Sequence, residues 1–246
     1  MKNFPKYLVT ELKLRFRIPI SVFFIFIFPI FLMVAFASSF GRNNPNYMAD
    51  NIATIMFYAV LSASVVSFSN DISRYKQDNF YFLLERRGGN KLAYLLAQIV
   101  GFVVIIFLST LAILAIAHVQ YNYVLPNLST LIIFYAKLYA YTLPFFLLAI
   151  IIGLSVKNSS VASAIGMPVM FISYFLAGMM IPYADLTGSI KALAHNFFLT
   201  QLLSDLTHTL TNTYVVTPNW TIISISVSVI VIAAGLVLYK SSLVRR

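Results

Sequence analysis

The chain has 246 residues, 60% of them hydrophobic and only 10% charged, where a soluble domain carries about 25% charged residues. Several apolar stretches long enough to cross roughly 30 Å of hydrocarbon exclude a soluble enzyme and define an all-α polytopic membrane protein; a barrel would show alternating segments of about ten residues instead. The formal charge of +10 does not indicate nucleic acid, because the cations gather in three segments, as on the cytoplasmic side of a membrane protein, and with no cysteine there is no disulfide framework or thiolate metal site.

Residues 1–17 read as a basic amphipathic helix lying in the inner headgroup layer. At 100° per residue, Lys2, Lys6, Lys13 and Arg17 fall within about 60° of one another, and Phe4, Leu8, Leu12 and Phe16 cover an adjacent arc of about 120°. A plain positive-inside flank is the alternative. The first span covers 18–40. Pro19 is tolerated at its first turn, and Pro29 predicts a kink. The run is longer than the ~7–15 residues of a signal h-region, so Ala35-Phe36-Ala37 does not read as a cleavage site. A short outer loop with Asn43-Asn44-Pro45-Asn46 leads to the second span, 52–69. Its small and hydroxyl residues, Ser62 and Ser67 among them, fit close helix packing or a polar pathway wall.

The segment 70–91 is the most charged internal stretch. Arg74, Lys76, Arg86, Arg87 and Lys91 stand against Asp71, Asp78 and Glu85, with Phe80-Tyr81-Phe82-Leu83-Leu84 between them. It is long enough for an amphipathic helix over 71–89 with a turn at Gly88-Gly89. Positive-inside charge explains the arginines but not the apolar run, so the segment reads as a docking element facing the cytosol.

The third span covers 92–117, an outer loop 118–129, and the fourth span 131–155 with Pro144 inside. A tight inner turn holds Lys157, with Asn158 or Ser159 as cap. The fifth span, 161–181, is interrupted by Gly166, Pro168 and Gly178. Residues 183–218 form the longest outer segment. It is expected to lay short helices on the outer surface, with Asp185 and Asp205 solvated. The last span, 220–239, has Trp220 and Tyr239 as interfacial anchors.

With six spans and both termini in the cytoplasm, the outer segments hold only Arg42 and Lys191; Lys240, Arg245 and Arg246 end the chain inside. Lys137 is left over, about two turns into the fourth span. It reads as a substrate or lipid-headgroup contact, or as a lysine snorkelling to a belt of Tyr135, Tyr139 and Tyr141.

No phosphate-binding G-x-x-x-x-G-K-[ST] loop, H-E-x-x-H pair or G-x-S-x-G elbow is present. The only glutamates, Glu11 and Glu85, lie at the cytoplasmic face, and the expected spans contain no carboxylate or histidine. This argues against an intramembrane enzyme and against proton-coupled transport.

The order of elements resembles the membrane-spanning permease of ABC transporters of the type-2 export family. A basic interfacial helix precedes the first span, a cytoplasmic helix joins spans two and three, and short outer helices lie between spans five and six. Lys76-Gln77-Asp78-Asn79-Phe80-Tyr81-Phe82-Leu83-Leu84 stands where the family often has E-x-G-T-L-x-x-L-L, without the Gly-Thr. Phe175-Leu176-Ala177-Gly178-Met179-Met180-Ile181-Pro182 is similar to the family's small-residue and proline turn. Asn196-Phe197-Phe198-Leu199-Thr200 takes the place of Asn-Pro-Leu-Thr, with Phe197 for the proline.

The resemblance implies one transmembrane domain over 1–246 in the plasma membrane, exporting an amphiphilic substrate. It implies a separate ATPase subunit that carries ATP and Mg, and a second permease, identical or related; this chain itself binds no cofactor. The coupling residues would be Arg74, Lys76, Asp78, Phe80, Phe82, Leu83, Glu85, Arg86 and Arg87. Ser62, Ser67, Lys137, Gly166 and Gly178 are the pathway candidates. A secondary carrier and an immunity or sensor subunit remain alternatives.

Overall fold

A computed structural model describes residues 4–41, 44 and 46–240. Lys2, Arg42, Asn43, Pro45, Arg245 and Arg246, which entered the reading above, lie outside the described residues. Helix α1 is Phe4–Arg17. Helix α2 runs through Pro19–Val22, a π turn Phe23–Ile27 and Phe28–Phe40. Then come α3 (Tyr47–Gln77), α4 (Phe80–Arg86), α5 (Lys91–Tyr121), α6 (Leu128–Ser155) and α7 (Ser159–Leu176). A short 3-10 turn, Tyr183–Asp185, precedes α8 (Gly188–Asn196), α9 (Phe198–Thr211) and α10 (Trp220–Lys240). There is no strand among the described residues, and six helices are long and apolar enough to cross a membrane.

Asparagines punctuate the chain. The side chains of Asn90, Asn127 and Asn158 accept from the N–H three residues on, at 2.9, 2.8 and 2.9 Å, and so start α5, α6 and α7. Asn79, Asn122 and Asn212 take left-handed φ values of 52°, 51° and 58° where helices stop, a conformation asparagine tolerates better than most residues.

Helix α3 is the axis of the bundle. Buried residues make up 89% of its apolar window, against 28% for α2 and α7 and 17% for α10. Two glycines let neighbours close on it. A Cβ on Gly153 would stand 2.7 Å from the Ser69 carbonyl oxygen, and one on Gly166 would stand 2.9 Å from that of Val65. Close backbone approach of this kind is how helices pack where water supplies no driving force between them. Pro29 in α2 has no N–H for the carbonyl of Ile25 four residues back. The chain widens into the π turn there, and the Ser109 hydroxyl of α5 donates to that carbonyl at 2.6 Å. The proline is thus absorbed by a π turn and a hydroxyl from a neighbouring helix.

Three boundaries differ from expectation. The helix expected over 71–89 is broken at Asn79, and its first half continues α3 to Gln77. Asp71, Ile72, Ser73 and Tyr75 are buried, so this polar stretch is held in helical form by packing. The fifth span ends at Leu176 and not at 181, because Gly178 turns the chain with φ 72°. Helix α9 does not lie on the surface: every residue from Leu199 to Thr207 is buried, and it packs against α3 and α6.

Candidate functional site

The basic end of the bundle is built around one buried ion cluster. Helix α1 packs along α5 and turns Glu11 and Arg15 inward, one helical turn apart. Arg15 donates through Nη2 to Glu11 Oε2 at 2.9 Å and through Nη1 to Asp71 Oδ2 of α3. Its guanidinium lies 3.5 Å from the centroid of the Phe102 ring, a cation–π contact in a desolvated site. Tyr94 and Tyr75 both donate to Glu11 Oε1, the latter at 3.3 Å. Arg74, with 41% of its side chain exposed, holds Asp71 Oδ1 at 3.2 Å. The apolar face expected for 1–17 therefore carries an ion pair at its edge. The expected span 52–69 holds no carboxylate, but α3 runs past both of its ends and takes in Asp50 and Asp71. The i, i+4 spacing of Glu11 and Arg15 was a signal the sequence reading did not use, and nothing local marked Asp71, 56 residues from Arg15.

Helix α4 is fixed to this cluster by aromatic rings. Phe80 lies 4.7 Å from Tyr75 and 4.8 Å from Tyr94, centroid to centroid. The Tyr81 hydroxyl donates to Gln98 Oε1 at 3.1 Å. Burial above all, with the nearby Tyr75 and Glu11, pushes the Tyr81 phenol well above its ordinary pKa, so it stays a donor. Of the nine residues read as a coupling surface, two turn inward. Phe80 joins the ring cluster, and Lys76 donates to the carbonyls of Leu154 and Val156 at 2.5 and 3.1 Å, closing the end of α6. Arg74 serves Asp71. Asp78, Phe82, Leu83, Glu85, Arg86 and Arg87 face out, with Phe82 and Leu83 52% and 50% exposed. The Arg86 guanidinium covers the Phe82 ring at 4.5 Å, and Lys91 bridges to Glu85 at 3.1 Å. The result is a short rigid helix with an apolar, basic outer face, standing on a buried ion cluster.

The pathway candidates do not converge. Ser62 lies 2.9 Å from the Tyr174 hydroxyl, which in turn donates to the Tyr58 carbonyl at 3.1 Å. Gly166 sits at the α3–α7 contact. Ser67 borders a 130 Å³ crevice with Asp71 and Arg74, and Gly178 lines a larger cavity at the opposite end. Lys137 is part-buried and paired. Its ammonium is 2.8 Å from Asp205 Oδ2 of α9 and donates to Thr209 at 3.0 Å. Tyr141 donates to the same Asp205 oxygen at 2.7 Å. Asp205, expected to be solvated, is 3% exposed, because α9 is inserted among α3, α6 and α10. No group of three or more metal-ligating side chains exists among the described residues.

Six helices long and apolar enough to cross a membrane and an exposed basic helix at one end are the frame of a multi-pass membrane protein. Residues 7–211 match the membrane-domain family described as ABC-2 type transporter. The chain belongs to that family and is a multi-pass ABC transporter membrane permease. Comparison with curated proteins and with solved structures gave no match.

Proposed function

We propose that this permease, a single transmembrane domain over 1–246, exports an amphiphilic substrate from the cell, driven by a separate ATPase subunit that docks on α4. The observation that carries this reading is the outer face of α4. Phe82 and Leu83 are half exposed at the end of a chain segment that should not show apolar groups to water, and Arg86 and Arg87 ring them. Exposed apolar side chains rimmed by charge mark a protein interface.

The described cations support a cytoplasmic placement of this end. Lys6, Lys13, Arg17, Arg74, Lys76, Arg86, Arg87, Lys91 and Lys157 all belong to it, while Lys191 and the Asp205-paired Lys137 stand toward the other. Both termini are then cytoplasmic in the plasma membrane. On this reading α1 lies at the inner interface, and ATP and Mg are bound by the ATPase.

Movement of the ATPase would pull α4, which is joined by Phe80 and Tyr81 to α3 and α5. Helix α3, continuous from the docking end to the far end through a π stretch at Ser62–Phe68, carries the displacement across the membrane. Two permeases, identical or related, enclose the path. Phe82→Glu with Leu83→Glu tests the reading. The variant should reach the membrane in normal amount, lose the ATPase on purification and stop ATP-dependent export from vesicles. Normal ATPase retention and normal export together refute it.

A further inference from the structure

A cavity of about 420 Å³ is at the end of the bundle opposite α4. It opens between the start of α3, the turn after α7, and α9. Its volume is that of an ordinary small-molecule site. Two carboxylates, Asp50 of α3 and Asp185 of the 3-10 turn, border it, and none of its described lining residues is cationic. The apolar part of the wall includes Phe40 and Leu203, and Phe40 stacks on Tyr47 with centroids 6.1 Å apart. Thr207 lines the cavity, is only 4% exposed, and its hydroxyl takes part in no hydrogen bond. Its neighbours on the same wall are satisfied: Thr200 donates to Leu176 at 3.2 Å and Ser204 to Val216 at 2.6 Å. The Thr207 hydroxyl is not among the fully buried unpaired atoms, so it is open to a partner within the cavity. Lys191, outside the lining, donates to the Ala184 carbonyl at 3.3 Å and lies 5.4 Å from the Tyr183 ring.

We propose that this cavity binds an ammonium-bearing amphiphile, its cationic head between Asp50 and Asp185 and its apolar part along Phe40, Tyr47 and Leu203. Thr207 supplies a further polar contact. Carboxylates and ring faces both favour a cation, and an anion would meet the repulsion of both carboxylates. The proposal deepens the export reading by giving the chemical class of a ligand on the outer side. It needs no ATPase to be tested. A primary ammonium could come from an exported amine or from an ethanolamine headgroup, and the competitors below separate the two.

The full chain, purified in dodecyl maltoside, is titrated with the fluorescent amine dansylcadaverine. Bound probe is then displaced by dodecylamine, by dodecanol or by lysophosphatidylethanolamine. Dodecylamine should displace it at a concentration at least tenfold lower than dodecanol. Displacement by the lysolipid at matching concentration assigns the site to a headgroup, and its failure assigns it to a free amine. Asp50→Asn with Asp185→Asn should weaken dodecylamine tenfold or more and leave dodecanol unchanged. Lys191→Ala should tighten dodecylamine several-fold, and this variant decides the matter if the double variant does not fold. Equal potency of amine and alcohol overturns the proposal, as does indifference of dodecylamine to Lys191→Ala or, in a folded double variant, to loss of both carboxylates. Loss of ATPase coupling alone would leave all these readouts in place.

Discussion

Arg15→Met tests the ion cluster at the basic end most severely. The methionine keeps much of the bulk but removes the only group that holds Glu11 and Asp71 together. Taking one partner from a buried ion pair costs about 3–5 kcal/mol, chiefly because the other charge is left buried. Here Glu11 keeps the hydroxyls of Tyr75 and Tyr94, and Asp71 keeps the part-exposed Arg74. That places the electrostatic loss near the low end, about 3 kcal/mol. Removal of the guanidinium from the Phe102 face adds roughly 1 kcal/mol. A chain of this size loses roughly 2–4 °C of melting temperature per kcal/mol, so the fall should be about 8–16 °C. The assay is a thermal scan in detergent, read as the fraction remaining monodisperse on size exclusion. Glu11→Gln should cost less, roughly 1.5–3 kcal/mol, because the amide oxygen still accepts from Tyr94. Adding Glu11→Gln and Asp71→Asn to Arg15→Met should recover more than half of the loss, since no unpaired charge then remains. If Arg15→Met melts within about 2 °C of the parent, the carboxylates are not held as described.

Other substitutions test the span contacts. Ser109→Ala leaves the Ile25 carbonyl without the donor that Pro29 cannot supply and should cost about 1–3 kcal/mol in the same thermal scan. Gly153→Ala brings a Cβ to 2.7 Å from the Ser69 carbonyl oxygen. It should cost about 1–3 kcal/mol by overpacking, whereas Gly235→Ala, with open space around it, should be neutral. Lys137→Met leaves Asp205 buried with only Tyr141 as side-chain partner. It should loosen α9, seen as faster protease cleavage within 198–211, and Lys137→Met with Asp205→Asn should restore most of the protection.

Hydropathy alone located all six spans, because a run of apolar residues long enough to cross a bilayer has few other uses. Their ends were legible where a local signal exists, as at Asn158, whose side chain does cap α7. The polar stretch 70–77 gave no such signal. It reads as the start of a separate amphipathic helix over 71–89, and its continuity with α3 depends on distant partners, among them the Arg15 and Glu11 side chains. Asp205 misled for the same reason. It stands among threonines and serines that suggest a wet surface, while its partner Lys137 lies 68 positions earlier and was itself read as snorkelling. Within the docking segment, the apolar run was visible, but which of its rings face out was not. The break at Asn79 sets the phase of α4 and turns Phe80 in and Phe82 out.

The account rests on α4 facing the cytosol as the seat of an ATPase. The chain has no cysteine, so Leu83→Cys introduces a single reactive thiol at the centre of that seat. It can be challenged with a membrane-impermeant maleimide in inside-out and right-side-out vesicles. The expected result is rapid labelling in inside-out vesicles stripped of peripheral protein, protection when the ATPase is bound, and none in right-side-out vesicles. Labelling from the outer side, or labelling from the inner side that no nucleotide-hydrolysing partner slows, contradicts the account.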